Sequence, residues 1–360
     1  MSDTPVDHSA APDSTGNDTV LRADHIDVAY EGYGGARPTR AVRDVSFELR
    51  RGELLGIAGE SGCGKSTLAY AVARCLQPPA RLTGGSVTFH SRDGGESDLL
   101  ALEGEALRAF RWNKLSIVFQ SAMNALNPVT RVGRHFDDIF RAHRPGMPGP
   151  ERQERARALL DMVGIDPARI RAYPHELSGG MRQRVVIAMA LALEPEVVIM
   201  DEPTTALDVV VQREILDEVE RLREELGFSV VFITHDLSLL LEISDRLAVM
   251  YAGGIVEYGP CDRIAAGAGH PYTQGLLRSF PELTGERRAL RGIPGSPPDL
   301  REELAGCPFA DRCERAFAPC RTVAPRPVPL PGGGWAACHL HDPAHAAAAA
   351  AGPLREGSRP

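Results

Sequence analysis

No apolar run in these 360 residues is long enough to cross a bilayer. The longest, Val185 to Leu193, is interrupted by Glu194 and Pro195, far short of the roughly 20 residues a helical span needs. The stretch Met1 to Asp18 is polar and acidic and holds no apolar core segment, so no secretion signal is read there and a cytoplasmic protein is expected. Net positive charge is missing too. Lys plus Arg number 40 against 48 Asp plus Glu, for a net charge of −8, which argues against a general binder of nucleic acid or of lipid surfaces. None of the seven cysteines forms a Cys-x-x-Cys pair. In a reducing compartment they are better read as thiols or metal ligands than as a disulfide framework. A sustained heptad pattern is also absent, which excludes a long coiled coil.

What is present is the composition of a globular chain, 43% hydrophobic and 24% charged, with length for a sizeable core and a prior of about two domains. Its most telling stretch is Gly59-Glu60-Ser61-Gly62-Cys63-Gly64-Lys65-Ser66-Thr67. It follows the apolar run Leu54 to Ala58 and leads into a helix-forming segment, Leu68 to Arg74. Strand, glycine-rich loop and helix are the setting of a phosphate-binding loop. Gly59, Gly62 and Gly64 let the backbone turn its N–H groups inward, and the helix start adds its positive dipole end. Lys65 would reach the β- and γ-phosphates and Ser66 would place its hydroxyl on Mg²⁺. Cys63 needs no thiol there and reads as a small space-filler; if accessible, its thiolate would be favoured by the loop.

Along the chain, residues 1 to about 20 are expected to be disordered. Extended patterns follow at His25 to Tyr30 and at Ala41 to Leu49, the second alternating as a half-buried strand does. Tyr30 is either an edge aromatic or a ring that stacks on a base. Further strands are read at Gly85 to His90 and at Leu115 to Phe119, the latter ending at Gln120. A mostly helical region runs from about Val132 to Ile170, broken at Arg144 to Pro150. Leu177-Ser178-Gly179-Gly180 opens a helix from Met181 to Leu193. Val197 to Met200 is a buried strand ending in Asp201-Glu202, and Asp208 can cap a helix that buries Ile215, Val219, Leu222 and Leu226 and stops at Gly227. Ser229 to Thr234 is another buried strand, ending at His235. Acidic and imidazole groups at strand C-termini are where open α/β sheets place ligand chemistry. Asp201 would hold Mg²⁺ and Glu202 would polarise an attacking water.

Taken together these residues resemble the ATP-binding-cassette ATPases, over about Leu21 to Ile264. In that family's order come the stacking aromatic (Tyr30), Walker A (Gly59 to Ser66), the Q-loop Gln120 and the signature Leu177 to Gln183. Walker B (Val197 to Asp201), Glu202, the D-loop Ala206-Leu207-Asp208 and the switch histidine His235 complete it. The resemblance implies an α/β fold: a P-loop cassette at 21–266 with a RecA-like core, an antiparallel β subdomain and a helical insertion at about 125–180. It implies ATP and Mg²⁺ as ligands, with Ser66, Gln120 and Asp201 on the metal. It also implies that two cassettes pack head to tail, each ATP lying between Walker A of one and Ser178-Gly179-Gly180 of the other.

Beyond Gly267 prolines and glycines multiply, and a small cysteine-containing domain is expected at 267–345, with a disordered tail at 346–360. Gly269 to Leu277, Ile293 to Leu300 and Cys307 to Cys313 resemble the C-terminal extension of the oligopeptide/dipeptide (and nickel) importers, as does Asn124 to Pro128. That resemblance implies two transmembrane permease subunits, a second and non-identical cassette subunit, and an extracytoplasmic solute-binding protein. The place of action would be the cytoplasmic face of the membrane, with no nucleic-acid partner; the solute is a peptide, nickel or another small molecule. Ser121 to Gly133 would meet a permease loop. Cys307, Cys313, Cys320 and Cys338 can supply a coordination shell whose spacing does not choose the metal; resemblance implies a [4Fe–4S] cluster, with zinc or free thiols as the alternatives. His339 and His341, beside Cys338, are the competing ligands, though the plainer reading makes them exposed polar residues, and the cluster is expected to stand apart from ATP chemistry. A cassette protein of translation or DNA repair is the competing class, but it would carry two cassettes or a long coiled coil. A nucleotide-regulated metal or redox sensor would rest on the cysteines alone.

Overall fold

The computed structural model describes residues 18–32, 34, 36–120, 125–205, 207–279 and 292–350. The tails at 1–17 and 351–360, Ser121 to Asn124 and Ala206 lie outside them. So the expected disorder at 1–17 and 351–360, that part of the permease-facing segment and that part of the D-loop are not described, whereas Thr19 and Val20, expected in the disordered tail, open a strand that buries Val20.

Two long strands, β1 (Thr19–Tyr30) and β2 (Thr39–Arg50), open the fold. The all-buried β3 (Leu54–Ala58) then runs into the glycine loop and α1 (Lys65–Val72). β4 (Ala80–His90) and β5 (Glu96–Asp98) join the first two strands in an antiparallel sheet of order β2-β1-β4-β5. Alternation in β1 and β2 turns Ala23, Val28, Val45 and Leu49 inward, as a one-sided sheet requires. After α2 (Gly104–Phe110) and β6 (Leu115–Val118) comes the helical insertion, α3 (Val132–His143) and α4 (Gly149–Met162). The expected break is shorter than its proline content suggested, because Pro150 falls in the first turn of α4, where proline has no N–H to lose. Phe136, Phe140, Leu159 and Leu160 are buried between the two helices. Each such side chain contributes about 1.5–3 kcal/mol of hydrophobic stabilisation.

The chain then alternates helix and strand: α5 (Gly179–Ala190), β7 (Val197–Asp201), α6 (Val209–Leu226), β8 (Ser229–Ile233), α7 (Leu237–Ile243), β9 (Arg246–Tyr251), β10 (Gly254–Pro260) and α8 (Cys261–Gly267). In α6 Ile215, Val219 and Leu222 are buried as expected. Leu226, the last residue before the Gly227 stop, is 38% exposed. Strands β9, β3, β8, β7 and β6 pair in parallel, so their C-terminal ends share one edge.

The extension begins with α9 (Pro271–Ser279) and ends with α10 (Ala318–Thr322), β11 (Pro327–Pro329), β12 (Trp335–Ala337) and α11 (Ala346–Ala350). It is not a separate body. β12 pairs with β10, so the main sheet reads β11-β12-β10-β9-β3-β8-β7-β6, and Tyr272 and Phe309 join the main core. Two further expectations need correction. Ala346–Ala350 is helical, as a run of the best helix former after a turn capped by Asp342 permits. His339 is buried and its Nε2 meets the Val323 carbonyl at 2.8 Å, while His341 pairs with the Gly269 carbonyl at 2.9 Å.

Candidate active site

The parallel sheet edge brings the separate motifs together. Between β3 and α1, Gly59 (φ 153°) and Gly64 (φ 107°) hold conformations that side chains avoid. A Cβ at Gly59 would lie 2.3 Å from the Met250 carbonyl oxygen, and one at Gly64 would lie 2.2 Å from that of Ala41. Only glycine fits at either point. Lys65 is buried, its Nζ donating to the Gly59 and Glu60 carbonyls at 2.8 and 3.1 Å. Ser66 donates its hydroxyl to Asp201 Oδ1 at 2.9 Å. Asp201, fully buried at the end of β7, keeps Oδ2 without a hydrogen-bond partner. Burial pushes its carboxyl above the usual range, and Ser66 and the nearby Tyr70 hydroxyl only partly offset this. A buried carboxylate oxygen with no well-formed hydrogen bond, beside a serine hydroxyl, fits a divalent cation.

Glu202, the next residue, adopts φ 46°, a left-handed conformation that costs a glutamate roughly 1–3 kcal/mol. Its N–H donates to the Ile233 carbonyl at 2.8 Å, tying it to β8. Gln120 Nε2 and the Thr205 hydroxyl each donate to Glu202 Oε2 at 3.0 Å. His235 Nδ1 is 3.6 Å from Glu202 Oε1. Thus Gln120, Glu202 and His235 converge on one carboxylate. Thr205 was not singled out from the sequence, although a hydroxyl three residues on is a short local signal. Tyr30 lies beside α1, its hydroxyl 3.0 Å from that of Thr67.

Ser61 and Gly62 line the outer part of the phosphate loop, and Cys63 is buried beneath it. Burial raises the Cys63 thiol's pKa despite Lys65 nearby, so the space-filling reading holds and the condition for a reactive thiolate does not. Ser178 caps α5, accepting from the Met181 N–H at 3.2 Å, and is exposed. Gly180 permits the close approach of α6, since a Cβ there would meet Val211 at 2.6 Å. Among the described residues no hydrogen bond joins Ser178-Gly179-Gly180 to the phosphate loop of the same chain. Asp208 caps α6 through the Val211 N–H at 3.0 Å.

The phosphate loop is also held from the extension, which linear motifs did not disclose. The Glu60 N–H donates to the Tyr272 hydroxyl at 2.8 Å. Arg312 grips the Glu60 carboxylate with both terminal nitrogens, at 2.7 and 2.8 Å. Arg312 directly precedes Cys313, so the residue beside one cluster cysteine reaches the phosphate loop although none of the four cysteines is hydrogen-bonded to it.

The four cysteines of that region form no disulfide, Cys320 and Cys338 buried, Cys307 and Cys313 partly so. Burial pushes Cys307 up to about 12 and Cys338 up to about 11, with the neighbouring thiols adding to it. The backbone N–H groups of Phe309, Arg315 and Leu340 act against burial, lowering the Cys307, Cys313 and Cys338 thiols, the direction that favours bound thiolates. No three of the thiols lie within 4.8 Å of one another, whereas a tetrahedral zinc with bonds of about 2.3 Å sets its sulfurs about 3.8 Å apart.

Comparisons with known proteins agree with this geometry. Residues 42–205 match the family model described as "ABC transporter", and residues 256–320 match "Oligopeptide/dipeptide transporter, C-terminal region". A "Probable peptide ABC transporter ATP-binding protein" of Sinorhizobium fredii is 44% identical over 322 residues, 88% of this chain and 94% of that one. The "Dipeptide transport ATP-binding protein DppD" of Bacillus subtilis is 42% identical over 309 residues, 85% of this chain and 90% of that one. A solved structure titled as a dimeric post-hydrolysis cassette bound to ADP and Pi superposes with a TM-score of 0.57 at 30% identity, over 67% of this chain and 98% of the other. No helix among the described residues is long and apolar enough to cross a membrane. The chain belongs to the ABC transporter family, as one of its ATP-hydrolysing subunits.

Proposed function

We propose that this subunit powers the import of oligopeptides or dipeptides through two permease subunits at the cytoplasmic face of the membrane. A second, non-identical cassette and an extracytoplasmic solute-binding protein would complete the assembly. The match of residues 256–320 to the peptide-importer extension carries this reading, since that segment is built onto the cassette and would mark the branch. Nickel or another small solute is the alternative cargo.

In the hydrolytic step Lys65 and the loop N–H groups hold the triphosphate, and Tyr30 stacks on the base. Glu202 accepts the proton of the attacking water at Oε1, the oxygen that Gln120 and Thr205 leave free. His235 orients that water from the other side. Ser66 and Asp201, with Gln120, would hold Mg²⁺, which when bound would neutralise charge at the phosphates. The signature residues Ser178, Gly179 and Gly180, with Asp208 of the D-loop, act on the partner's nucleotide.

Cys307, Cys313, Cys320 and Cys338 are proposed ligands of a [4Fe–4S] cluster. The resemblance and the spacing of the four sulfurs, wider than one zinc ion sets, support this over a mononuclear zinc site. Anaerobic purification with iron and sulfide analysis tests it; colourless protein without iron, and unchanged stability in Cys307→Ser/Cys313→Ser, would remove the cluster. Transport itself is tested by reconstituting the chain with its co-encoded permease, partner cassette and binding protein in vesicles. Peptide uptake that requires ATP is expected, and uptake of nickel but no peptide would reassign the cargo.

A further inference from the structure

Arg312 is nearly buried, its side chain 6% exposed, in a single helical turn at Ala310–Arg312 of the extension. Every nitrogen of its guanidinium has a partner. Nη1 donates to Glu60 Oε2 at 2.7 Å and to the Tyr251 hydroxyl at 3.2 Å; Nη2 donates to Glu60 Oε1 at 2.8 Å; Nε donates to the Pro294 carbonyl at 2.8 Å. The ring faces of Tyr251 and Phe309 flank the cation at 5.7 and 5.9 Å. Glu60 is the second residue of the phosphate loop, and its own N–H is held by Tyr272. Both ends of that residue are thus fixed by side chains more than 200 positions away.

Burying an ion pair is a poor route to stability, because desolvation of both charges opposes their attraction. A carboxylate in a loop that receives a triphosphate poses a second problem, since an unpaired negative charge there repels the ligand. We infer that Arg312 is a positioning residue of the phosphate loop, which neutralises Glu60 and fixes its place so that the loop can accept the triphosphate. With both terminal nitrogens on Glu60, Arg312 is not itself a phosphate ligand. Its effect on ATP passes through Glu60. The inference rests on the reading of Gly59 to Thr67 as the ATP site.

That route makes the effect separable from simple docking of the extension. MgATP affinity is measured by equilibrium titration on the full chain, for Arg312→Met and Arg312→Lys, each in the native and the Glu60→Gln background. Arg312→Met should weaken MgATP about tenfold in the native background, and more at low salt, because the unpaired carboxylate is screened by ions. In the Glu60→Gln background, where no charge is left unpaired, the same change should cost less than about twofold. Arg312→Lys, which keeps the charge without the fork, should lose no more than about threefold in the native background. Equal losses in the two backgrounds would assign Arg312 to docking alone and overturn the inference, as would no loss with Glu60 intact. If Arg312→Met fails to fold, the Lys variant decides: a tenfold loss that persists in Glu60→Gln overturns the proposal, and a small loss that vanishes there supports it. Wild-type chain that binds no MgATP would instead overturn the nucleotide reading itself.

Discussion

Glu202 is held in a left-handed backbone conformation at φ 46° and gripped at one carboxylate oxygen by Gln120 and Thr205. That leaves the other oxygen facing His235, which is the arrangement a general base needs to meet a water. Glu202→Gln keeps the shape and the cradle, so MgATP affinity should stay within about threefold while turnover falls roughly 10²–10⁴-fold. Wild-type-like turnover in that variant would remove Glu202 from the role. Lys65→Ala should behave differently, raising the dissociation constant itself, since the lysine lies inside the loop rather than at the water. Thr205→Val preserves volume and removes one hydrogen bond to the base. Its turnover should drop about tenfold, the scale of one hydrogen bond to a charged group, with binding unchanged. A binding defect of the same size would show that Thr205 shapes the loop and not the base.

At the start of α9, His270 is fully buried and accepts the Tyr272 N–H at Nδ1, 3.0 Å away. Burial, with His341 nearby, pushes its pKa down to about 3, while the unfolded chain titrates near 6.5. Protonation therefore favours the unfolded state. The contribution of neutral His270 is complete above about pH 6.5 and is lost as pH falls toward 3, by about 1.4 kcal/mol per unit. Denaturant midpoints at pH 7.5 and 5.5 should show a drop of that size which His270→Asn removes; an identical drop in the variant would locate the proton elsewhere. The same helix shows what the sequence could not disclose. Gly59 to Thr67, Gln120, Asp201-Glu202 and His235 are legible because contiguous backbone demands and strand ends leave local patterns. The extension has no such period: Tyr272 and Phe309 reach the main core from segments rich in Pro and Gly, so composition alone made it look like a body of its own. Arg312 and Tyr272 meet Glu60 across 252 and 212 residues, and no local spacing records a contact of that range.

Across the whole molecule, the exposed start of α5 and the phosphate loop are two halves of chemistry that do not meet within one chain. Ser178 is exposed and Gly179 and Gly180 are partly so; Ser178 caps the Met181 N–H, and the uncapped donors at a helix start attract a phosphate. If each ATP lies between the loop of one cassette and Ser178-Gly179-Gly180 of another, the two halves can be supplied by different chains. Lys65→Ala should fail to dimerise with MgATP because neither site holds nucleotide. Ser178→Arg should fail because its bulk and charge block the partner's site. Mixed together in a Glu202→Gln background that traps the closed state, the two variants form one site from the intact Lys65 of one chain and the intact Ser178 of the other. Size-exclusion chromatography with MgATP should then show a dimer in the mixture at a fraction of the Glu202→Gln level, and none in either variant alone. A mixture that stays monomeric, while Glu202→Gln alone dimerises, would mean that one composite site cannot hold the pair. Dimer formed by Ser178→Arg alone would place the signature outside the interface and leave the head-to-tail arrangement without its physical basis.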